Sequence, residues 1–129
     1  MNNTMKLEQQ VVSLELAKQL KELGVKQDSL FYWDTDYENG RVIFPNYEVR
    51  ELMPKLNNRV SAFTVAELGE MLPNQSMDLT VKLYKGDDAY WAECHKWGKK
   101  NHLIGGEETE AAARAKMLIW LIEEGYITR

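Results

Sequence analysis

The sequence predicts an α+β fold, in which a small antiparallel sheet of three to five strands is covered by about three helices. Apolar and polar residues alternate from Leu79 to Lys96, as in strands, and residues 107–124 have the periodicity of one long helix. The chain shows no regular strand–helix alternation of the kind that builds parallel sheets. The predicted order is helix, two strands, helix, two or three strands, helix.

Composition predicts one soluble domain. The chain has 129 residues, 44% of them hydrophobic, and a net charge of −4. We expect a flexible lead-in over residues 1–12 and a single domain over residues 13–129. The acidic balance disfavours phosphate backbones and anionic lipid. Without a secretory leader or a run of about 18 apolar residues, we expect a cytoplasmic protein with no membrane contact.

The first helix begins after Ser13, a typical N-cap residue, and presents Leu16 and Leu20 on one face. Gly24 predicts its end, since a left-handed C-terminal residue is most often glycine.

A hairpin should follow this helix. Leu30 to Asp36 alternates like a strand and places Tyr32 and Asp34 on the solvent side. Asn39-Gly40 predicts a two-residue type I′ turn, because both of its central residues need positive φ. Arg41 to Phe44 then forms the returning strand.

Residues 46–60 are ambiguous, with one or two helical turns at 47–53 and then a loop. The next helix is well marked, because Thr64 and Glu67 form a capping box. Gly69 falls on its buried stripe, which suggests that another backbone approaches closely there.

The last helix is apolar on two sides. One face collects small and aliphatic residues, and Trp120 lies nearly opposite, next to Met117. Either another element, such as the first helix, covers Trp120, or Met117 and Trp120 form a surface for a protein partner or a homodimer. The first face consists of Ala111, Ala115, Leu118, Ile119 and Ile122.

Metal or thiol chemistry is not expected. Cys94, His95 and His102 are the only soft ligands, whereas structural zinc takes four. Adjacent strand residues also point to opposite faces, which separates Cys94 from His95. We therefore assign no catalytic, metal-binding or cofactor-binding residue and expect no cofactor.

A basic and aromatic segment offers an alternative function. Lys96, Trp97, Lys99 and Lys100 could stack on single-stranded nucleic acid and screen its phosphates. The strand–strand–strand–helix order of residues 79–127 also resembles the C-terminal part of double-stranded RNA-binding domains, where lysines at the start of the last helix bind phosphate. Glu107, Glu108 and Glu110 stand there instead, so this resemblance lacks the functional signature and nucleic acid is an unlikely partner.

Two further resemblances concern larger groups. Residues 79–127 also resemble HicB-like antitoxin modules, although the proline-glycine bend of that family is missing. The strings SLELAKQLKELGVKQDSLFYW, AFTVAELGEMLP and ETEAAARAKMLIWLIEEG are similar to small hypothetical proteins of bacteriophages and prophages of anaerobic bacteria. This likeness implies an accessory protein without a known activity. The leading hypothesis is a non-enzymatic interaction protein that uses its last helix or an exposed sheet face.

Overall fold

A computed structural model describes residues 6–73 and 78–128 and confirms the α+β class. Its helices are α1 (Leu7–Gln10), α2 (Leu14–Glu22), α3 (Tyr47–Arg50), α4 (Val65–Met71) and α5 (Glu110–Glu123), with a 3₁₀ turn at Met53–Lys55. Its strands are β1 (Tyr32–Asp34), β2 (Arg41–Ile43), β3 (Arg59–Ser61), β4 (Leu79–Lys85), β5 (Tyr90–Lys96) and β6 (His102–Glu107).

The strands form two antiparallel sheets where the sequence predicted one. The first sheet has the order β2-β1-β3 and the second the order β4-β5-β6. The prediction left the third strand of the second sheet open and did not include the third strand of the first sheet. β3 lies in a segment interpreted as a loop, because three residues are too few to show a period of two.

Helix α5 lies in the middle of the fold. It packs on β4, β5 and β6 with one side and on α2 and α4 with the other. The predicted inner face of α5 is buried as expected, and Ala113, Met117 and Leu121 on its other side are buried as well. α5 is also the longest helix, with 14 residues, and none of the helices in the described ranges has the length and apolar character to cross a bilayer.

The predicted caps are confirmed. The Ser13 hydroxyl accepts a hydrogen bond from the backbone N–H of Leu16 at 3.3 Å, and Gly24 has φ +90°. In the capping box, Glu67 Oε1 accepts the Thr64 N–H at 2.9 Å, and Thr64 Oγ1 accepts the Glu67 N–H at 3.2 Å. Both helices therefore begin where their local sequence satisfies the free N–H groups of the first turn.

The N-terminal segment is more ordered than a flexible lead-in to residue 12 implies. α1 is helical, and Val11 and Val12 are buried. The Val12 N–H donates to the Phe63 carbonyl at 2.9 Å, and the Val12 carbonyl accepts from Trp33 Nε1 at 2.9 Å. Residues 1–5 of the predicted lead-in lie outside the described residues.

The predicted solvent face of β1 is wrong. Tyr32, Trp33 and Asp34 are all buried, because β1 is the central strand of its sheet. Their polar atoms have partners, as burial requires. Tyr32 Oη donates to the Gln27 carbonyl at 3.0 Å, and the Asp34 carboxylate pairs with Arg59.

The β1–β2 connection is longer than a two-residue hairpin. Asn39 and Gly40 do have positive φ, at 63° and 78°. However, Asp34 is the register partner of Arg41, so six residues connect the strands, and the Gly40 N–H donates to the Tyr37 carbonyl at 2.8 Å. The Asn-Gly pair closes a longer loop.

Candidate functional site

The predicted partner surface on α5 is not exposed. Met117 is fully buried, which rules out a surface role for it. Trp120 is half-buried, with its ring stacked on His102 at 3.9 Å between centroids and edge-on to Tyr126 at 5.4 Å. β6 and the segment after α5 therefore cover Trp120, and the first helix does not. The helical period of α5 did not indicate that a second layer, the β4-β5-β6 sheet, covers its other side.

The basic segment splits between two environments. Lys96 Nζ lies 3.1 Å from an Asp78 carboxylate oxygen and 5.3 Å from the centre of the Tyr126 ring. Trp97, Lys99 and Lys100 instead lie in the β5–β6 connection. Trp97 is 83% exposed there, and neither Lys99 nor Lys100 forms an ion pair with another described residue. We call residues 97–100 the basic hairpin.

Two of the acidic residues at the start of α5 have partners. Glu107 ends β6 and pairs with Lys116 at 2.9 Å, and Glu110 pairs with Arg114 at 2.7 Å. The Arg114 guanidinium also occupies the space that a Cβ on Gly69 would need, so a side chain approaches Gly69 and the predicted backbone does not. These pairings make the acids part of the fold.

Cys94 is a core residue, as predicted. Its thiol is buried, and burial raises the pKa of Cys94 against the smaller opposing effect of Lys96. The thiolate is therefore disfavoured, which makes Cys94 a poor nucleophile. His95 Nε2 hydrogen-bonds Glu93 at 2.8 Å, and the part of the chain that the structure describes contains no group of three or more acidic, His or Cys residues suited to a metal ion.

The side of the second sheet that faces away from α5 is open and partly aromatic. Tyr84 and Trp91 are register partners across β4 and β5, and Leu103 on β6 is 51% exposed. Trp91 lies flat on β6 because Gly105 has no side chain, and the register shifts at this point between Tyr90 and Ala92. Glycine here makes room for an indole ring.

Replacing Gly105 with alanine should displace Trp91, because the added Cβ collides with the indole ring. We expect a loss of about 1–3 kcal/mol of unfolding free energy, as is usual for overpacking. Urea denaturation of Gly105→Ala, Trp91→Ala and the double variant would measure this. The effects of the two single substitutions should not add; simple additivity would show that Trp91 and Gly105 are not in contact.

A cavity of about 450 Å³ lies between α4, α5 and the segment after α2. Its floor is apolar and includes Phe63, Leu118 and Ile122. Its acidic wall residues are Asp28, Glu67 and Glu70, with Lys26 as the basic one. The size is that of a site for a large side chain or a small ligand.

A second cavity, of about 410 Å³, adjoins the first. Lys26 and Asp28 belong to the walls of both, and Tyr47, Arg50 and Glu51 extend the second cavity along α3. We call the two cavities together the acidic groove. Its walls come from the segment between α2 and β1, from α4 and α5, and from the segment that includes α3.

The charges of the acidic groove do not balance. It has four carboxylates, Asp28, Glu51, Glu67 and Glu70, against Lys26 and Arg50. Arg50 is engaged elsewhere, donating to the Pro45 carbonyl at 2.8 Å and lying 5.0 Å from the Phe44 ring centre. Glu67 accepts the N–H groups of Thr64 and Leu30. The groove thus has a net charge of −2 and an apolar floor.

Exposed apolar side chains lie on the segment that includes α3. Tyr47 is 92% exposed, Phe44 63% and Leu52 51%. We call these three residues the apolar rim. The prediction missed Tyr47 and Leu52 because residues 46–60 were ambiguous, and it placed Phe44 at the end of the returning strand. The sequence feature that could have indicated these exposed residues is a series of large apolar residues in a segment without a regular period.

No protein-family model, curated protein or solved structure matches this chain.

Proposed function

We propose that this protein is a non-enzymatic interaction module that binds a protein partner in the acidic groove. The observation that carries the proposal is the position of Tyr47, which is 92% exposed and lines the groove. Large aromatic residues that remain in water are typical of protein contact surfaces. The apolar floor and the net negative charge favour a partner segment that is both apolar and basic.

A protein segment suits the groove better than a single small molecule. Two cavities that share the wall residues Lys26 and Asp28 can take neighbouring side chains of an extended chain. Phe44 and Leu52 add apolar surface close to α3 that such a chain could cover.

Nucleic acid is the weaker alternative. The exposed Trp97, Lys99 and Lys100 of the basic hairpin favour it. Lys96 does not join them, because it pairs with Asp78. Non-specific affinity for nucleic acid grows with the number of phosphates neutralised, and two exposed lysines on a chain of net charge −4 neutralise few.

Photo-cross-linking would test the proposed function. We expect p-benzoylphenylalanine at position 47, in cells of the source organism, to give a discrete adduct with a protein. The same probe at Lys18, an exposed position on α2 that does not line the groove, is the control. Reversing charge with Glu70→Lys should remove the adduct. Equal labelling from positions 47 and 18, or none from position 47, would contradict a binding role for the groove.

A further inference from the structure

We propose that the partner of the acidic groove is a second copy of this chain, which inserts its basic hairpin. This inference rests on the proposed function and names the partner. The hairpin has the properties that the groove requires: an exposed aromatic side chain, Trp97, beside Lys99 and Lys100, two exposed lysines without an ion pair among the described residues. The occupant is therefore already present in the protein's own sequence.

Charge complementarity supports this pairing. The acidic groove has a net charge of −2, and Lys99 and Lys100 contribute +2. Asp28 and Glu70 form no ion pair with another described residue, so each can accept a lysine. Opposite charges on the two surfaces steer the encounter and disfavour other orientations.

Trp97 fits the first cavity. The cavity volume of about 450 Å³ lies within the usual range of binding pockets, roughly 300–1,000 Å³, so the cavity can hold an indole ring. The floor residues Phe63 and Leu118 are apolar. Tryptophan inserted into a desolvated pocket is the commonest kind of dominant contact in protein interfaces.

The positions of the two surfaces determine the kind of assembly. Leu118 and Ile122 on one side of α5 line the groove, whereas Trp120 on the opposite side contacts His102 of the second sheet. The basic hairpin belongs to that sheet, so hairpin and groove lie on opposite sides of α5. When the groove of one copy holds the hairpin of another, its own hairpin faces away from that partner and stays free. The contact is therefore head-to-tail and continues into chains or rings as concentration rises.

Sedimentation velocity from about 10 to 500 μM would test the proposal. We expect the wild-type weight-average mass to rise with concentration and not to stop at a dimer. Trp97→Ala should lower the association constant at least about tenfold, as a dominant contact does. Asp28→Lys with Glu70→Lys should do the same. Glu15→Lys with Glu123→Lys makes the same change in net charge at exposed positions outside the groove and should leave association intact.

A mixing experiment makes the test specific. The Trp97→Ala chain keeps its groove, and the Asp28→Lys, Glu70→Lys chain keeps its hairpin. Each alone is expected to associate at least about tenfold more weakly than the wild type, and a 1:1 mixture should form a 1:1 complex with about the wild-type affinity and stop there. No complex in the mixture, or association of the Trp97→Ala chain by itself as strong as that of the wild type, would overturn the proposal.

Other outcomes separate this inference from the proposed function. A wild-type monomer at 500 μM that still gives a Tyr47-directed adduct with a different protein would overturn self-docking and leave the interaction role standing. A monomer with no adduct would overturn both. If oligo-dT co-sediments with the wild type at low salt and not with Trp97→Ala, while no self-association occurs, the hairpin binds nucleic acid and self-docking is overturned.

Discussion

Replacing Leu121 with alanine should lower the free energy of unfolding by about 3 kcal/mol, within the usual range of roughly 2–5 kcal/mol for a buried leucine. Leu121 is fully buried and does not belong to the predicted inner face of α5. Its loss leaves a cavity between layers that are both fixed, the second sheet and the helices α2 and α4. Neither layer can move in to fill the space without losing its own packing.

The matched control is Leu103→Ala, the same chemical change at a side chain that is 51% exposed on the open side of the second sheet. We expect a change within about 0.5 kcal/mol, as for most surface substitutions. Urea denaturation followed by Trp fluorescence would measure both variants. If both changes were equally small, α5 would not be enclosed on two sides.

The parts of the fold that the sequence predicted depend on local chemistry. Ser13 and the Thr64–Glu67 pair mark helix starts because a few neighbouring atoms satisfy the free N–H groups of the first turn. The inner face of α5 was also predicted, because its small and aliphatic residues recur at the helical spacing. The strands β4 and β5 were predicted by their alternation over seven residues each.

The remaining parts depend on contacts between distant segments. Met117 was a candidate surface residue because α5 is enclosed on two sides. Such a helix has no single apolar face from which burial can be inferred. β3 becomes a strand only by pairing with β1. The acidic groove brings together residues from α3, α4, α5 and the segment after α2, and no sequence spacing relates them.

The first sheet has an ionic contact that register explains. Asp34 on the central strand is the register partner of both Arg41 on β2 and Arg59 on β3. Its Oδ1 lies 3.1 Å from Arg59 Nη1 and accepts the Asp36 N–H at 3.0 Å, and its Oδ2 lies 3.5 Å from Arg41 Nη2. The Asp34 side chain is only 5% exposed, so one buried carboxylate pairs with a cation on each neighbouring strand.

Asp34→Ala should therefore destabilise the protein strongly, by about 3 kcal/mol, at the low end of what is seen when one partner of a buried pair is removed. The reason is that Arg59, whose side chain is 17% exposed and whose Nε has no partner among the described residues, would keep its charge without a counter-ion. Arg41 is 53% exposed and can be solvated, which limits the loss.

The control for this prediction is Asp36→Ala, which removes a carboxylate two residues away that lies in solvent and accepts a hydrogen bond from Asn58 at 2.6 Å. We expect it to lower the free energy of unfolding by less than about 1 kcal/mol, because solvent replaces the lost contact. Arg59→Met should partly rescue Asp34→Ala, since the double variant has no uncompensated buried cation. Chemical denaturation of Asp34→Ala, Arg59→Met, the double variant and the Asp36→Ala control would measure the coupling. If the double variant is less stable than Asp34→Ala alone, Arg59 stabilises the sheet by packing and not through its pairing with Asp34. Only in that case does the loss of the guanidinium add to the destabilisation caused by Asp34→Ala.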